Sequence, residues 1–383
     1  MSDLEMFRAE TRAWLEANCP PEMRLAVKDE TDICWGGRNP VFKNEAQKHW
    51  LDLMAAKGWT VPEWPRAYGG AGLSPAEAKI LRQEMASLGC RSPLSSFGIW
   101  MLGPALLKFG TEQQKVHYLN PIARGEIRWC QGYSEPGSGS DLVSLQTFGE
   151  DRGDHWVVNG QKIWTSYADK ADWIFCLVRT DKTDTYRGIS FLLFDMASPG
   201  VSTRPILLIS GSSPFCETFF DDVAVPKDQI VGAVNRGWDV AKYLLGHERE
   251  MISGAGNAPQ PSPGIEFAGQ FADDPMLRAE MARFEVDSLA FRAMGEKFLD
   301  ELKAGRAHPA QPNMMKYAGT ELNKRRHELA MAAGGSDLLE WDSEASSNGL
   351  RPRAWLRTKG NSIEGGTSEV MLNVIAKRIL ELP

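Results

Sequence analysis

Trp129-Cys130-Gln131-Gly132-Tyr133-Ser134-Glu135-Pro136-Gly137-Ser138-Gly139-Ser140-Asp141-Leu142 is the stretch on which the reading of this chain turns. Gly137 and Gly139 permit positive φ and a close backbone approach, and Ser138 and Ser140 can donate to an anion. The residues alone leave two readings open, a surface turn or a cradle for phosphate.

The texture of the chain changes across this stretch. Upstream it reads as helix: Ser2 and Glu5 make a capping box, with Leu4, Phe7, Thr11, Trp14 and Leu15 following at helical spacing. Ser74-Pro75-Ala76-Glu77 places a cap, an N1 proline and an N3 glutamate in order. A turn-rich loop, Gly58 to Leu73, lies between them. Downstream, short β-rich runs cover His155–Asn159, Trp173–Arg179, Ile189–Phe194, Val201–Leu207 and Glu217–Val225, several alternating as half-buried antiparallel strands do. Without βαβ alternation or a GxGxxG after a strand, a Rossmann domain is not expected. After Gly237 helical patterns return at Trp238–Ser253, Met276–Leu302, Pro312–Ala333 and Ser368–Leu380, with a Pro/Gly-rich loop from Gly254 to Pro263. The expectation is an α+β chain: an N-terminal helical domain (1–126), a middle antiparallel β-domain (127–233) and a C-terminal helical domain (234–383).

A second segment, Asn159-Gly160-Gln161-Lys162-Ile163-Trp164-Thr165-Ser166, begins with a hairpin signal, so Lys162–Ser166 is expected as a strand leaving a tight turn. Its tryptophan and two hydroxyls suit either a packed core strand or an aromatic cofactor with ring heteroatoms.

A net charge of −7 over 383 residues argues against nucleic acid as the main partner. No stretch of about 20 apolar residues is available to span a bilayer. Asp3, Glu5 and Glu10 make the opening unlike a secretory signal or transit peptide. Six scattered cysteines without a CxxC pair read as reduced thiols of a cytoplasmic protein, and the six histidines form no metal-binding cluster.

Together the two segments resemble the acyl-CoA dehydrogenase family. Its Ser/Thr-Glu-x-x-small-Gly-Ser/Thr-Asp pattern reads Ser134 to Asp141 here, and its Trp followed by two polar or small residues reads Trp164-Thr165-Ser166. The resemblance extends to Gly58–Leu73, Phe220–Pro226 with Val231-Gly232 and Gly237-Trp238, Gly365–Glu369 and Arg378–Leu380. It implies helical, β and four-helix-bundle domains in that order. It also implies FAD, with Gln131, Tyr133 and Ser134 along the isoalloxazine, Gly139 and Ser140 at the pyrophosphate, Trp164, Thr165 and Ser166 at the reactive edge, and Thr367 as a further contact. The implied reaction is α,β-dehydrogenation of an acyl-CoA thioester, with hydride leaving for flavin N5 and electrons passing to electron-transfer flavoprotein.

The base needs separate treatment. Many family members carry a glutamate immediately before Gly-Thr near the C-terminus; here that position is Gly365, and Glu364 is one residue out of register. Another branch, resembling isovaleryl-CoA and long-chain acyl-CoA dehydrogenases, places its glutamate on the first helix after the β-domain, before an arginine. Glu248-Arg249 matches that pattern. Ala241, Leu244/Leu245, Glu248 and Met251/Ile252 recur at three- and four-residue intervals, so Glu248 is expected on the apolar face with a raised pKa. By family position Gly365 would offer its backbone N–H to the thioester carbonyl, and Arg249 would lie near the CoA end.

Two departures stand out: the family's Arg-x-x-Phe-Gly segment is missing from the Pro/Gly-rich Asn257–Gln270 stretch, and Met331 replaces a common glutamine before Gly334-Gly335. In both respects the chain resembles bacterial branches acting on bulky acyl groups, so a branched or bulky substrate is expected. Homo-oligomer and heteromer both remain open. The alternatives are a flavin oxidase or monooxygenase on the same fold, or a non-catalytic partner subunit.

Overall fold

The computed structural model describes residues 2–253 and 262–383; the side chains of 247–253, 266 and 303 are outside the description. The chain forms two compact units, one of residues Met1–Pro205 with Pro214–Leu244, the other of Ile206–Ser213 with Leu245–Pro383.

The first unit opens with helices α1 (Asp3–Asn18), α2 (Glu45–Ala56), α3 (Pro75–Ser87), α4 (Gly103–Phe109) and α5 (Glu112–Ala123). Both capping boxes form as the sequence predicts, Ser2 with Glu5 and Ser74 with Glu77. Leu15, Trp50, Met54, Trp59 and Leu81 close one core between α1, α2 and α3. A π-helical turn, Gly98–Leu102, precedes α4.

Strands β1 (Trp129–Gly132), β2 (Phe148–Asp151), β3 (His155–Ser166), β4 (Trp173–Arg179), β5 (Ile189–Asp195), β6 (Val201–Ile206) and β7 (Phe215–Pro226) form one sheet. Its order is β1-β4-β2-β3-β7-β6, with β5 also paired to β4. The expected antiparallel pairing holds for β2–β3, β3–β7 and β4–β5, but β1 runs parallel to β4, in the register Trp129 opposite Trp173. On one face Cys130, Ile174, Cys176, Leu192, Phe194, Cys216 and Phe220 make the sheet core. On the other, Trp129 and Trp173 meet Tyr118 of α5 edge-on, at 5.3 Å between ring centroids in each case. With both faces covered, β4 and β5 read as continuous apolar runs rather than clean alternations.

Asn159-Gly160 does not turn the chain. It lies inside the continuous strand β3, where the register to β7 shifts between Val158 and Gly160. Asn159 instead clamps β7: its Nδ2 donates to Asp222 Oδ1 and its Oδ1 accepts from Asp222 N, each at 2.9 Å. Gly160 is required because a Cβ there would sit 2.7 Å from the Thr147 backbone. A bulge with a close approach thus mimics a hairpin signature in sequence.

Helix α6 (Gly237–Ser253) runs on from the first unit into the second. The second unit then holds α7 (Pro263–Glu266), α8 (Ala268–Asp273), α9 (Pro275–Lys303), α10 (Gln311–Gly334), α11 (Leu350–Thr358) and α12 (Ser368–Arg378). The expected loop over Asn257–Gln270 therefore becomes two short helices from Pro263 onward, its earlier residues lying outside the described ones. Phe267, Phe271, Met281, Phe284, Leu329 and Met331 form this unit's core, so Met331 is a packing residue of α10. Among the described residues no helix is long and apolar enough to cross a membrane.

Candidate functional site

The Ser134–Asp141 loop and the Trp164–Ser166 segment, far apart in sequence, are bound together in the first unit. Ile163 N donates to Ser134 O at 2.9 Å. Lys162, fully buried, donates from Nζ to Tyr133 O at 3.0 Å and to Glu135 Oε1 at 2.8 Å. Glu135 also accepts from Gln146 N (2.6 Å) and Thr147 N (2.9 Å). Burial pushes the Glu135 carboxyl up, but the Lys162 ammonium and these donors outweigh it and hold its pKa below the ordinary value. Sequence reasoning missed Lys162, since an isolated lysine ordinarily reads as surface.

The loop closes on itself through reciprocal backbone bonds between Glu135 and Ser138. The Ser138 hydroxyl donates to Asp141 O at 2.8 Å, so it serves the loop, contrary to its expected part as an anion donor. Neither Gly137 nor Gly139 adopts positive φ; a Cβ at either would meet nothing within 4 Å. The glycines keep this flank open rather than bend it, and Gly139 and Ser140 are exposed. Gln131, Tyr133 and Ser134 follow on or just after β1; Tyr133 is buried edge-on to Phe175 and Phe191.

At the end of β3 a second bulge falls between Lys162 and Thr165, and Trp164 takes φ 60°. Its indole is 52% exposed, held edge-on to Phe215. Tyr167 also has positive φ, 53°. Such backbone costs of order 1–3 kcal/mol per residue and concentrates where ligands are gripped. Thr165 is fully buried opposite Cys216, its hydroxyl without a hydrogen-bond partner among the described residues, whereas Ser166 is half-buried. An exposed indole, accessible hydroxyls at Ser140 and Ser166 and an open glycine loop suit a planar ring carrying phosphate.

In the second unit, Gly365 (φ 63°) and Gly366 (φ 101°) form the turn that leads to α12, which Thr367 caps by accepting from Val370 N at 3.2 Å. Lys316 of α10, fully buried, donates to Asn361 O (3.1 Å) and Gly366 O (2.6 Å) and so fixes both sides of this turn. Sequence reasoning missed Lys316 as well. Glu364 accepts from Arg357 Nη2 at 2.6 Å and from Asn361 Nδ2. Val240, Ala241 and Leu244 form the buried face of α6. The Glu248 and Arg249 side chains lie outside the described residues. Among the described residues no cluster of three or more His, Cys, Asp or Glu side chains is arranged to hold a metal.

Comparison with known proteins gives three family matches in chain order. The acyl-CoA dehydrogenase N-terminal domain matches residues 1–126, the middle domain 130–223 and the C-terminal domain 265–380. The acyl-CoA dehydrogenase IpdE1 of Mycobacterium tuberculosis is 38% identical, the match covering 100% of this chain and 99% of IpdE1. Among solved structures, the Tcur3481-Tcur3483 steroid ACAD has a TM-score of 0.78 at 28% identity, over 99% of this chain and 97% of the other. The ChsE4-ChsE5 complex from Mycobacterium tuberculosis has a TM-score of 0.75 at 28% identity, over 100% and 98%. The order of helical, β and helical parts, the two joined motif segments and these matches agree: the chain belongs to the acyl-CoA dehydrogenase family.

Proposed function

We propose that this flavin-dependent acyl-CoA dehydrogenase oxidises a bulky, ring-bearing acyl-CoA between its α- and β-carbons, with Glu248 as the base. The observation that carries the reading is the join made by Lys162 and Ile163, which sets the Tyr133–Ser140 loop beside Trp164–Ser166. The names of similar proteins, a steroid ACAD among them, support the substrate class.

FAD is the cofactor this family implies, and when bound it would supply the hydride acceptor. Gln131, Tyr133, Ser134, Trp164, Thr165 and Ser166 would hold its ring system, Gly139 and Ser140 its pyrophosphate, and Thr367 would add a contact. Trp164 would bring a flat apolar face and Ser166 a hydroxyl. Glu248 would remove the α-proton, on a helix whose preceding turn is apolar, and Arg249 would lie towards the CoA end. The Gly365 N–H would donate to the thioester carbonyl as negative charge develops on it. Glu364, already engaged by Arg357, is poorly placed to serve as base.

Electron-transfer flavoprotein as acceptor, assembly with further copies or a related subunit, a cytoplasmic location and the domain limits 1–126, 127–233 and 234–383 belong to the same reading. The structural relative ChsE4-ChsE5 is itself a complex of two named components.

Anaerobic mixing with straight, branched and ring-bearing acyl-CoAs tests it, read as bleaching of the flavin band. Bleaching by ring-bearing thioesters and none in Glu248→Gln is the expected result; preference for straight medium chains would overturn the substrate class. The missing Arg-x-x-Phe-Gly segment favours one second reading, a partner subunit that retains flavin weakly. Activity appearing only with a related chain added would establish that reading.

A further inference from the structure

Cys19 and Cys90 are not used in the reading above. Cys19 is the C-cap of α1, its N–H donating to Leu15 O at 2.9 Å, and Cys90 closes the turn after α3, its N–H donating to Met85 O at 2.8 Å. Far apart in sequence, the two belong to the core between α1, α2 and α3, and their side chains hydrogen bond to each other. The backbone fixes this meeting: Arg91 N donates to Met23 O at 2.8 Å and ties the turn after α3 to the segment after α1. Both thiols are free, and their residues are 4% and 9% exposed. They lie just under the surface, because Pro21, Glu22 and Gly89, their neighbours along the chain, are exposed.

A cation completes the cluster. Arg24 Nη2 donates to Glu16 O at 2.7 Å and to Leu15 O at 3.2 Å, so its guanidinium covers the last carbonyls of α1 beside Cys19. Arg24 Nε is buried without a hydrogen-bond partner among the described residues, and the guanidinium lies against the Cys19 thiol. A thiolate at Cys19 would satisfy this donor, where a neutral thiol leaves it unmet. The hydrogen bond from Cys90 first, and Arg24 after it, outweigh burial and pull the Cys19 thiol down to about 7 from 9.0. Cys90, which keeps the shared proton, is pushed up. Burial pushes Cys34, Cys130, Cys176 and Cys216 up as well. One thiol primed for attack, with a second in contact with it, is the arrangement of a pair that oxidises to a disulfide.

We infer that Cys19 and Cys90 form an oxidation site at which a peroxide converts the two thiols to a disulfide, Cys19 attacking and Cys90 resolving. The Cys19 thiolate attacks one peroxide oxygen; the O–O bond breaks, Cys19 becomes a sulfenic acid, and the departing oxygen takes up a proton as water or an alcohol. The Cys90 sulfur then attacks the Cys19 sulfur. The S–S bond forms, the S–O bond breaks, and hydroxide leaves with the Cys90 proton as water. The two thiols lose two electrons and the peroxide gains them. A dithiol reductant reverses the step by exchange. The bond ties the end of α1 to the turn behind α3, and its chemistry is independent of acyl-CoA oxidation.

Hydrogen peroxide added to the folded full-length protein at pH 7 tests this, followed by alkylation of the remaining thiols and peptide mapping without reductant. The Cys19 and Cys90 peptides should appear joined, about 2 Da below the sum of their masses, with the other four cysteines alkylated, and dithiothreitol should separate them. Cys90→Ser should stop at a sulfenic acid on Cys19, trapped by dimedone, and Cys19→Ser should give neither product. Arg24→Gln should slow linkage several-fold at pH 7 and hardly at all at pH 9, where the thiolate forms unaided. The linked protein should need more urea to unfold than the reduced one. Protein that keeps both thiols, or joins them only in urea, would overturn the inference. Dimedone labelling of Cys90 in Cys19→Ser at the rate seen for Cys19 in Cys90→Ser would overturn the assigned roles. Should the variants fail to fold, mapping of the wild type decides alone.

Discussion

Lys162 Nζ stands 2.8 Å from Glu135 Oε1, with the lysine side chain fully buried and the glutamate side chain 7% exposed. One strand of the sheet thereby holds the loop that leads out of another. Replacing only the lysine strands a carboxylate in the interior, so Lys162→Met should cost about 3–5 kcal/mol in urea unfolding. Flavin retention on gel filtration should fall with it. Adding Glu135→Gln should recover part of the lost stability, since the amide removes the stranded charge while its oxygen can still accept from the Gln146 or Thr147 backbone N–H.

The same pair sets an acid limit. The native pKa of Glu135 lies below its ordinary 4.5, so its stabilising contribution is complete above that value and is lost as pH falls through the native one. In wild type the corresponding loss should appear only below pH 4.5. In Lys162→Met, where burial is no longer opposed by the ammonium, the native pKa moves up, so this acid loss should shrink or reverse, the variant regaining stability relative to wild type as pH falls. Melting temperature recorded across pH 3–7 in both proteins checks the change of slope.

Glu364 and Glu248 compete for the role of base, and Glu364 is already in an ion pair with Arg357 at 2.6 Å. Glu364→Gln should keep rapid flavin bleaching by an acyl-CoA, whereas Glu248→Gln should slow it by several orders of magnitude. The reverse result, in single-turnover absorbance, would return the role to Glu364.

His327 of α10 is held neutral: burial first, then Arg326 and Lys359, pull its pKa down to about 4 from 6.5. An unfolded chain takes up this proton at a higher pH than the native one. Stability should therefore be intact above pH 6.5, decline as pH falls towards 4, and change no further from this source below that. His327→Asn should flatten the slope of melting temperature in this window. The imidazole proton resonance of His327 should titrate near pH 4.

Gly160→Ala should destabilise by about 1–3 kcal/mol, because its Cβ would fall 2.6 Å from Thr147 Oγ1 and 2.7 Å from Thr147 Cα while φ is 148°. Chemical denaturation checks it. A neutral outcome would mean that β2 and β3 can part at the bulge.

Local chemistry was legible in the sequence, and long-range pairing was not. Ser74 with Glu77 announces a helix start because the whole capping interaction fits in four residues. The paired motif segments identify the family because their order and spacing are distinctive. Asn159-Gly160 misleads, since a bulge and a hairpin ask for the same residue types, and the fact that decides between them is the neighbouring Thr147. The parallel pairing of β1 with β4 joins residues more than forty apart, such as Trp129 and Trp173, with no local signature. Lys162 and Lys316 are hidden for a related reason: their burial depends on the carboxylate or carbonyl oxygens that fold around them. α11 was missed because Leu350–Thr358 is rich in arginine and carries Pro352, while its Arg353 finds an acceptor in Ser210 O of a distant segment.

That distant segment, Ile206–Ser213, carries a consequence for how the molecule is made. It belongs to the second unit although the chain on both sides of it belongs to the first. Arg353 Nη1 donates to Ser210 O at 3.1 Å, across 143 residues of sequence. During synthesis the acceptor thus leaves the ribosome long before its donor exists and must wait beside a sheet already able to form. No single cut in the gene yields both units whole, so a helical fragment beginning at Leu245 would be born without part of its own body.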